Sequence, residues 1–248
     1  MKFFVFSLLF NPLYILPAPS ILKKCSEKII HFKSPVIING GGERTIMNAE
    51  VKFEIKLVLD GENFRVETLL PGGKEIIIKN KGRTVRIAGN KEIPLTTSFG
   101  YLPEILNLLF FSQEYRIEKF GIDTSTVAFT REKERGIISY SIGARDGFLE
   151  VNQFWVNKNS FLPVRFIYIK EEKVYDTKFT GFTVKDGEKF FPDRFEFSDP
   201  EGKGYLIFKE WENVQKLDPS IFLIPSGSKG KSDTEESIEE LIKRFEER

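Results

Sequence analysis

Hydrophobic residues recur along this chain with two different periods, one typical of β-strands and one of α-helices. The strand period is clearest at Val51, Phe53, Ile55, Leu57 and Leu59, where apolar residues alternate with mostly charged ones. Asp and Gly then follow at 60–61, a pair that favours a tight turn between antiparallel strands. The pattern predicts a half-buried strand that enters a meander.

The same alternation continues through most of the chain, and clusters of Gly, Pro, Asn and Asp separate its segments. Such clusters mark turns because these residues adopt turn conformations at low cost. Further strands are predicted at 64–69, 75–79, 84–88, 115–120, 126–132, 136–142, 148–156, 163–170, 174–184, 191–198 and 205–214. The predicted fold class is therefore mostly β (α+β), with a large antiparallel sheet that closes, stacks into a sandwich or curls.

A short motif occurs twice, as LPVRF at 162–166 and FPDRF at 191–195. Proline donates no amide to a sheet ladder, so it belongs at the first residue of a strand or on an edge. Both copies are predicted to open strands, joined by another extended segment. The repetition indicates neighbouring strands with an aromatic face.

The helical period appears in three places. Residues 102–111 are almost wholly apolar, with Pro103 in the first turn, and predict a helix packed over the sheet. Residues 21–33 predict an amphipathic helix, residues 35–39 a short strand, and the three glycines at 40–42 a loop. One turn of helix is expected at 217–222. Ser232 with Glu235 forms a capping box that starts a final amphipathic helix at 232–248.

The N-terminus has the plan of a signal peptide, with Lys2 followed by an apolar run to Leu16 and small residues before Ser20. The run is shorter than the ~20 residues that span a bilayer. We expect export and cleavage near Ser20, with an uncleaved anchor as the alternative. The predicted organisation is a signal peptide at 1–20, one domain at 21–225, a linker at 226–231 and the helix at 232–248.

Composition adds one unusual feature, which is 25 phenylalanines in 248 residues. The net charge of +1 gives no electrostatic reason to expect a nucleic-acid partner. Cys25 is the only cysteine, so it forms no internal disulfide. The phenylalanines indicate either an ordinary packed core or an apolar cavity.

Residues that carry catalytic or metal chemistry are scarce. His31 is the only histidine, and Cys25 has no metal-ligating neighbours in the sequence. Gly230-Lys231-Ser232 matches the end of a phosphate-binding loop, but Pro225 stands where its first glycine is required. The sequence predicts a protein that is not an enzyme, with no cofactor and no metal.

The order of elements and several short motifs resemble the LolA/LolB-like superfamily of periplasmic lipoprotein carriers and related lipid-binding and sensor domains. The resemblance covers 21–225 and departs from the family at the 40–48 insert and at the tail after Pro225. Its motifs are NKNSFLP at 157–163, FPDRF at 191–195, WENV at 211–214, Leu217-Asp218, Phe222 and Pro225. It implies an unclosed barrel capped by helices, whose inner apolar surface holds the acyl chains of a lipoprotein or lipid.

The resemblance also implies partners: a membrane transporter, an acceptor protein and transient membrane contact. The alternation leaves open which side chains of each strand face inward. The candidate cavity residues are Phe53, Ile55, Leu57, Phe64, Val66, Phe154, Val164, Phe166, Phe195 and Phe197, with Leu106 and Phe110 in a lid. The alternative function is a structural or regulatory interaction domain of the cell envelope with a filled core, acting through its C-terminal helix or an edge strand.

Overall fold

The computed structural model describes residues 15–224, except 47, 89–90, 94–100, 145–149, 171, 186 and 201. The described residues form one antiparallel sheet of thirteen strands, in the order β6-β5-β4-β3-β2-β1-β13-β12-β11-β10-β9-β8-β7. The two edges are β6 and β7, which do not pair, so the sheet stays open. The predicted fold class is confirmed. The linker at 226–231, the helix at 232–248 and most of the predicted signal peptide lie outside the described residues.

The strands follow one another as hairpins, with most turns built on glycine. Apart from β6 and β7, consecutive strands pair with each other, and β1 also pairs with β13. Their bounds are β1 Val36–Ile46, β2 Ala49–Asp60, β3 Asn63–Leu70, β4 Gly73–Asn80, β5 Arg83–Ala88, β6 Lys91–Ile93, β7 Val127–Arg131, β8 Ile138–Ile142, β9 Gln153–Asn157, β10 Pro163–Lys170, β11 Lys173–Lys185, β12 Lys189–Asp199 and β13 Gly202–Asn213.

Two α-helices lie on the same face of the sheet, which we call the inner face. Helix α1 spans Ala18–Lys28 and α2 spans Leu102–Phe111, so the second prediction is confirmed to the residue. The prediction of a helix at 21–33 is wrong at both ends. The chain leaves the helix at Ile29, which forms a bridge to Phe190, and the Phe32 amide donates to the Phe110 carbonyl at 2.8 Å.

The three glycines at 40–42 lie inside β1, so the predicted loop is wrong. They are needed because neighbouring backbone approaches closely. A Cβ at Gly42 would lie 1.9 Å from the Tyr205 carbonyl oxygen, and a Cβ at Gly40 would lie 2.5 Å from that of Ile207. Close backbone approach is one of the few reasons for glycine within a strand. Here the glycines let β1 lie close to both of its partner strands, β13 and β2, and so join the two halves of the sheet.

The two proline motifs are not neighbours, because β11 pairs with both β10 and β12. Pro163 opens β10 as predicted, whereas Pro192 lies within β12 beside a register shift at Gly181–Phe182 of β11. Irregular pairing of this kind is where a strand tolerates a residue without an amide. The predicted strand at 115–120 is also wrong, since Ile117–Phe120 is a 3-10 helix.

The outer face carries charged side chains and two small apolar clusters. One cluster contains Val58, Ile78, Val85 and Phe222, and the segment after β13, including a 3-10 helix at Pro219–Phe222, covers it. The other contains Trp155, Val164 and Ile167. The main core therefore lies between the inner face and the two α-helices.

Candidate functional site

The inner face gathers the predicted cavity and lid residues into one place. Eleven of the twelve lie in a single buried cluster that spans strands from both halves of the sheet and both helices. They are Phe53, Ile55, Leu57, Phe64, Val66, Phe154, Phe166, Phe195 and Phe197 from strands, and Leu106 and Phe110 from α2. We call these eleven residues and their buried neighbours the inner cluster.

Val164 is the exception, and its placement corrects the predicted set. Simple alternation puts Val164 on the same face as Phe166. The pairing of β9 and β10 shifts between Pro163 and Arg165, however, so Val164 packs with Trp155 and Ile167 on the outer face. A bulge adds one residue to a strand and reverses the alternation on one side of it. Nothing in the sequence pattern marks this bulge.

Aromatic rings make up much of the inner cluster. Phe195 contacts Phe179 edge to face at 5.5 Å between centroids and Phe208 at 5.0 Å. Phe110 of α2 stacks on Phe191 at 5.3 Å. Such pairs contribute about 0.5–1.5 kcal/mol beyond the area they bury. Phe179, Phe191 and Phe208 are part of the site although the candidate set omitted them, and strand alternation from Phe195 would have found Phe191.

The inner cluster is filled by its own side chains. Leu57, Phe64, Phe195, Leu106 and Phe110 each have no solvent-accessible surface. A side chain with no accessible surface has no adjoining space for a water molecule. An acyl chain can therefore enter only if part of the cluster moves aside.

Helix α2 is buried on nearly all sides. It therefore fills space beside the inner face instead of covering that face from the solvent side. Every residue from Leu102 to Phe110 except Glu104 is buried. Its described polar links to the rest of the protein are few: the Phe32–Phe110 main-chain bond, Tyr115 Oη donating to Leu109 O at 3.1 Å, and a Lys79–Glu104 ion pair at 3.0 Å. A helix that is apolar all round is held by packing and not by directed contacts.

One residue of α2 does not fit this apolar setting. Asn107 is only 8% exposed, and its Oδ1 has no hydrogen-bond partner among the described residues. A buried polar atom without a partner costs about 1–3 kcal/mol. Asn107 therefore makes the packing of α2 less favourable than an apolar residue of similar size would.

Polar groups also occur on the inner face, near the end where β12 turns into β13. Arg44 Nη2 donates to both carboxylate oxygens of Asp199 at 2.6 and 2.7 Å, and both side chains are almost fully buried. Arg86 pairs with Glu75 at 2.8 Å. Each guanidinium is balanced by a carboxylate, so these pairs leave no net charge for a ligand. The sequence did not reveal either pair. Arg44 and Asp199 are 155 residues apart in the chain. Glu75 and Arg86 look like the charged residues of any alternating strand.

The residues with catalytic potential form structural contacts. His31 Nε2 lies 2.9 Å from the Ser26 carbonyl oxygen, which only accepts, so this nitrogen carries the proton. Ser26 Oγ donates to the Gln113 carbonyl at 2.9 Å and lies 3.1 Å from the same His31 nitrogen, so the protonated Nε2 can also donate to this oxygen. Burial raises the pKa of the Cys25 thiol well above its ordinary value, which disfavours the reactive thiolate.

Two further observations concern metals and membranes. Among the described residues, no group of three or more His, Cys, Asp or Glu side chains is placed to hold a metal ion. Within the same part of the chain, no helix has both the length and the apolar character to cross a bilayer.

The outer face has two clefts of about 450 and 460 Å³, and charged side chains are prominent in the lining of both.

Comparison with solved structures finds the same architecture elsewhere. The chain is similar to a DUF1329 family protein from Desulfovibrio piger, with 12% identity, a TM-score of 0.50, and 83% of this chain and 95% of that chain covered. A LolA superfamily protein from Nitrosomonas europaea is 16% identical at a TM-score of 0.48, over 85% of this chain and 99% of that chain. A putative outer membrane lipoprotein-sorting protein domain from Vibrio parahaemolyticus is 12% identical at a TM-score of 0.49, over 83% and 95%.

No protein-family profile and no curated protein matches the chain. The resemblance inferred from the sequence is found again among solved structures, as a likeness of fold at low identity. At 12% identity, the likeness to the Desulfovibrio piger protein shows the fold alone.

Proposed function

We propose that this protein is a non-enzymatic, exported carrier that holds acyl chains of a lipoprotein or lipid against its inner face. In this proposal it moves its cargo across the periplasm between a membrane donor and an acceptor protein. The observation that carries the proposal is α2, an apolar helix seated in the concavity of an open sheet and weakened by the buried amide of Asn107. In this proposal the described conformation is the one in which α2 occupies the inner face.

Exchange of α2 for a ligand is physically reasonable because the two surfaces are chemically alike. An acyl chain gains about 0.8 kcal/mol for each buried CH₂, so a chain of about 16 carbons gains on the order of 10 kcal/mol. Part of this gain is offset by moving α2 from the rings of Phe32 and Phe191. The balance favours modest affinity, which a carrier needs in order to release its cargo.

Export is supported by the signal-peptide plan of the N-terminus, and the structure bears on where cleavage would act. Ala18 and Ile21 are buried residues of α1. Cleavage near Ser20 would remove Ala18 and keep Ile21, Leu22 and Cys25, the residues that seat the rest of the helix. Mass spectrometry of the N-terminal peptide, from protein recovered from the periplasm, tests this cleavage directly.

Acyl binding is tested by titrating delipidated protein with a fluorescent fatty acid. We expect saturable binding that Phe166→Glu abolishes. Asn107→Leu should raise the free energy of unfolding by about 1–3 kcal/mol and weaken binding about fivefold or more, since α2 then leaves its seat less readily. No saturable binding by the wild-type protein, or unchanged affinity in an Asn107→Leu variant that is measurably stabilised, would refute the carrier.

The filled inner cluster favours a second candidate, an interaction domain of the cell envelope with a permanently packed core. Its partner would contact an edge strand or the C-terminal helix and not the inner face. Deleting 226–248 separates the two. The interaction domain is supported if the wild-type protein does not bind the fatty acid and the deletion variant no longer binds a protein partner that the wild-type protein binds.

A further inference from the structure

The turn between β9 and β10 holds a bulky side chain in a conformation that such residues rarely adopt. Asn157 Oδ1 accepts hydrogen bonds from the Asn159 amide at 2.8 Å and from the Ser160 amide at 3.0 Å. The Phe161 amide donates to the Asn157 carbonyl at 3.0 Å, and Phe161 has a φ of 58°, an outlier for a residue of its size. Strained residues persist only where the surrounding structure fixes them, and they are common at functional sites. The turn therefore fixes the position of the Phe161 ring.

Phe161 is one of three rings that form a row at the margin of the inner cluster. Its ring stacks on Tyr140 with 6.1 Å between centroids, and Tyr140 contacts Phe129 of β7 at 5.2 Å. Tyr140 is buried in the inner cluster, whereas Phe129 and Phe161 are half-buried and pack against it. We call these three residues the rim row. Because β7 is an edge of the sheet, the rim row joins the buried cluster to the surface at that edge.

A lysine ammonium lies over each end of the rim row. Lys24 Nζ of α1 is 4.7 Å from the centroid of Phe161, and Lys158 Nζ of the turn is 4.8 Å from the centroid of Phe129. Lys24 is exposed and Lys158 is half-buried. Within the part of the chain that the structure describes, neither ammonium forms an ion pair or a hydrogen bond.

The acidic side chains that flank β7 and those of α1 do not pair with these two lysines. Glu132 is buried at the end of β7 and pairs with Arg135 at 2.9 Å. Asp123 accepts hydrogen bonds from the hydroxyl groups of its own turn, at 2.6 and 2.7 Å. Glu27 is exposed on α1, and no lysine or arginine of the described ranges forms an ion pair with it. The rim row therefore carries two positive charges that no described carboxylate contacts.

Two such ammonium groups beside a row of rings favour an anion that carries a hydrocarbon chain. A lysine ammonium has three N–H donors, and its attraction to a ring face leaves these donors available to oxygen. Carboxylate and phosphate oxygens form strong, charge-assisted hydrogen bonds with them. A chain attached to the anion passes from the outer rings to Tyr140, which belongs to the inner cluster.

We infer that Lys24 and Lys158 bind the headgroup of an acyl lipid whose headgroup is anionic, a carboxylate or a phosphate, while its chain follows the rim row into the inner cluster. The inference rests on the proposed carrier function and narrows the cargo to anionic lipids. It gives α1 a second role, because this helix supplies one lysine of the headgroup site in addition to covering the inner face.

Two probes that differ only in their headgroup test the site. A fluorescent fatty acid and the fatty alcohol with the same chain and fluorophore are each titrated into delipidated protein at neutral pH. We expect the wild-type protein to bind the acid about tenfold more tightly than the alcohol, because only the carboxylate forms charge-assisted hydrogen bonds. The double variant Lys24→Met with Lys158→Met should weaken binding of the acid about tenfold and of the alcohol less than about twofold.

Two further double variants serve as controls. Lys24→Arg with Lys158→Arg keeps both positive charges and should retain the preference for the acid to within about twofold. Lys23→Met with Lys209→Met removes the same charge from two exposed positions, one on α1 and one beside an outer cleft, and should also retain the preference. Inorganic phosphate, added at constant ionic strength, should not displace the acid, because it has no chain to bury.

Four results would overturn the inference. If the Lys24 and Lys158 methionine variant keeps the preference, or weakens both probes equally, the headgroup site is wrong while the carrier stands. If the Lys23 and Lys209 variant loses the preference as well, the effect is one of overall charge. Displacement by inorganic phosphate would indicate a site for free anions. If neither probe binds the wild-type protein, the carrier is refuted and the headgroup site with it.

Discussion

The two faces of the sheet are covered in different ways. The inner face is covered by helices α1 and α2, which lie outside the strand ladder, and its side chains merge into one cluster. The outer face is covered only in patches, of which the largest lies beneath the segment after β13. Alternation within each strand divides side chains between faces, but it does not say what covers them. In the proposed carrier, the helix that covers the inner face is exchanged for a ligand, whereas the outer patches are small and locally sealed.

The largest expected effect comes from removing an aromatic ring on the inner face. Phe195→Ala should cost about 3–5 kcal/mol of unfolding free energy, because the ring is fully buried and its removal leaves a cavity. Leu69→Ala on the outer face should change stability by less than about 1 kcal/mol. Urea unfolding followed by tryptophan fluorescence measures both. Equal losses would show that the two faces are packed alike.

A matched pair of salt bridges sharpens the comparison. Arg44→Met should cost about 3–5 kcal/mol, because it leaves the Asp199 carboxylate buried without its partner guanidinium. Arg165→Met on the outer face removes a partly exposed pair with Asp176 and a contact with Trp155, and should cost about 1–2 kcal/mol. Chemical denaturation of both variants checks the order. The double variant Arg44→Met with Asp199→Leu should recover part of the loss, and no recovery would argue against an uncompensated charge.

Adjacent glycines of β1 provide a third comparison. Gly42→Ala should destabilise the protein by about 1–3 kcal/mol, since its Cβ would meet the Tyr205 carbonyl oxygen at 1.9 Å. Gly41 faces the other way, and its Cβ would lie 2.9 Å from the Phe53 carbonyl oxygen, so Gly41→Ala should cost less. Thermal unfolding of the two variants gives the difference. A larger loss at Gly41 would contradict the close approach of β1 to β13 at Gly42.

The smallest effect is a pH dependence on the outer face. Burial tends to raise the pKa of Glu67, but hydrogen bonds from Lys74 and Arg65 outweigh it and hold the pKa below its ordinary value of 4.5. A carboxyl with a lowered folded-state pKa stabilises the protein above its unfolded pKa, and this contribution is lost as the pH falls through the folded pKa. Glu67→Gln should therefore reduce stability by up to about 1 kcal/mol at pH 7 and by less below pH 4.5.

Urea unfolding at several pH values measures this dependence. Glu114→Gln is the control, because Glu114 and Arg116 are more than 80% exposed and 3.7 Å apart. A variant of Glu67 that follows the wild-type pH profile would show that the pair with Lys74 and Arg65 contributes nothing.

Strand alternation predicted much of the fold. It located β2 and most later strands, and the apolar run of α2 set that helix correctly. It failed where one pattern fits two structures. The apolar spacing at 21–33 is satisfied partly by α1 and partly by an extended segment that pairs with Phe190 and Phe110. The glycines at 40–42 fit a loop or a crowded strand, and only the neighbouring strand β13 decides between them.

Regular periodicity also made most of the candidate site predictable, and the prediction again failed where the local pattern did not determine the structure. Eleven of the twelve chosen residues share the inner cluster because each lies in a strand or helix with a regular period. Val164 was wrong because a bulge reversed its side. The burial of Asn107 and the pairing of Arg44 with Asp199 depend on tertiary packing, which no local pattern records.

The pairing of β1 with β13 has a consequence for how the molecule forms. Strands β1 to β6 and strands β7 to β13 can each assemble from local hairpins, whereas Val36 must meet Asn213 from the opposite end of the chain. Bringing distant segments together costs loop-closure entropy before any contact repays it. Contacts between residues far apart in sequence also slow folding. The seam at the middle of the sheet should therefore close last, after two independent meanders have taken shape.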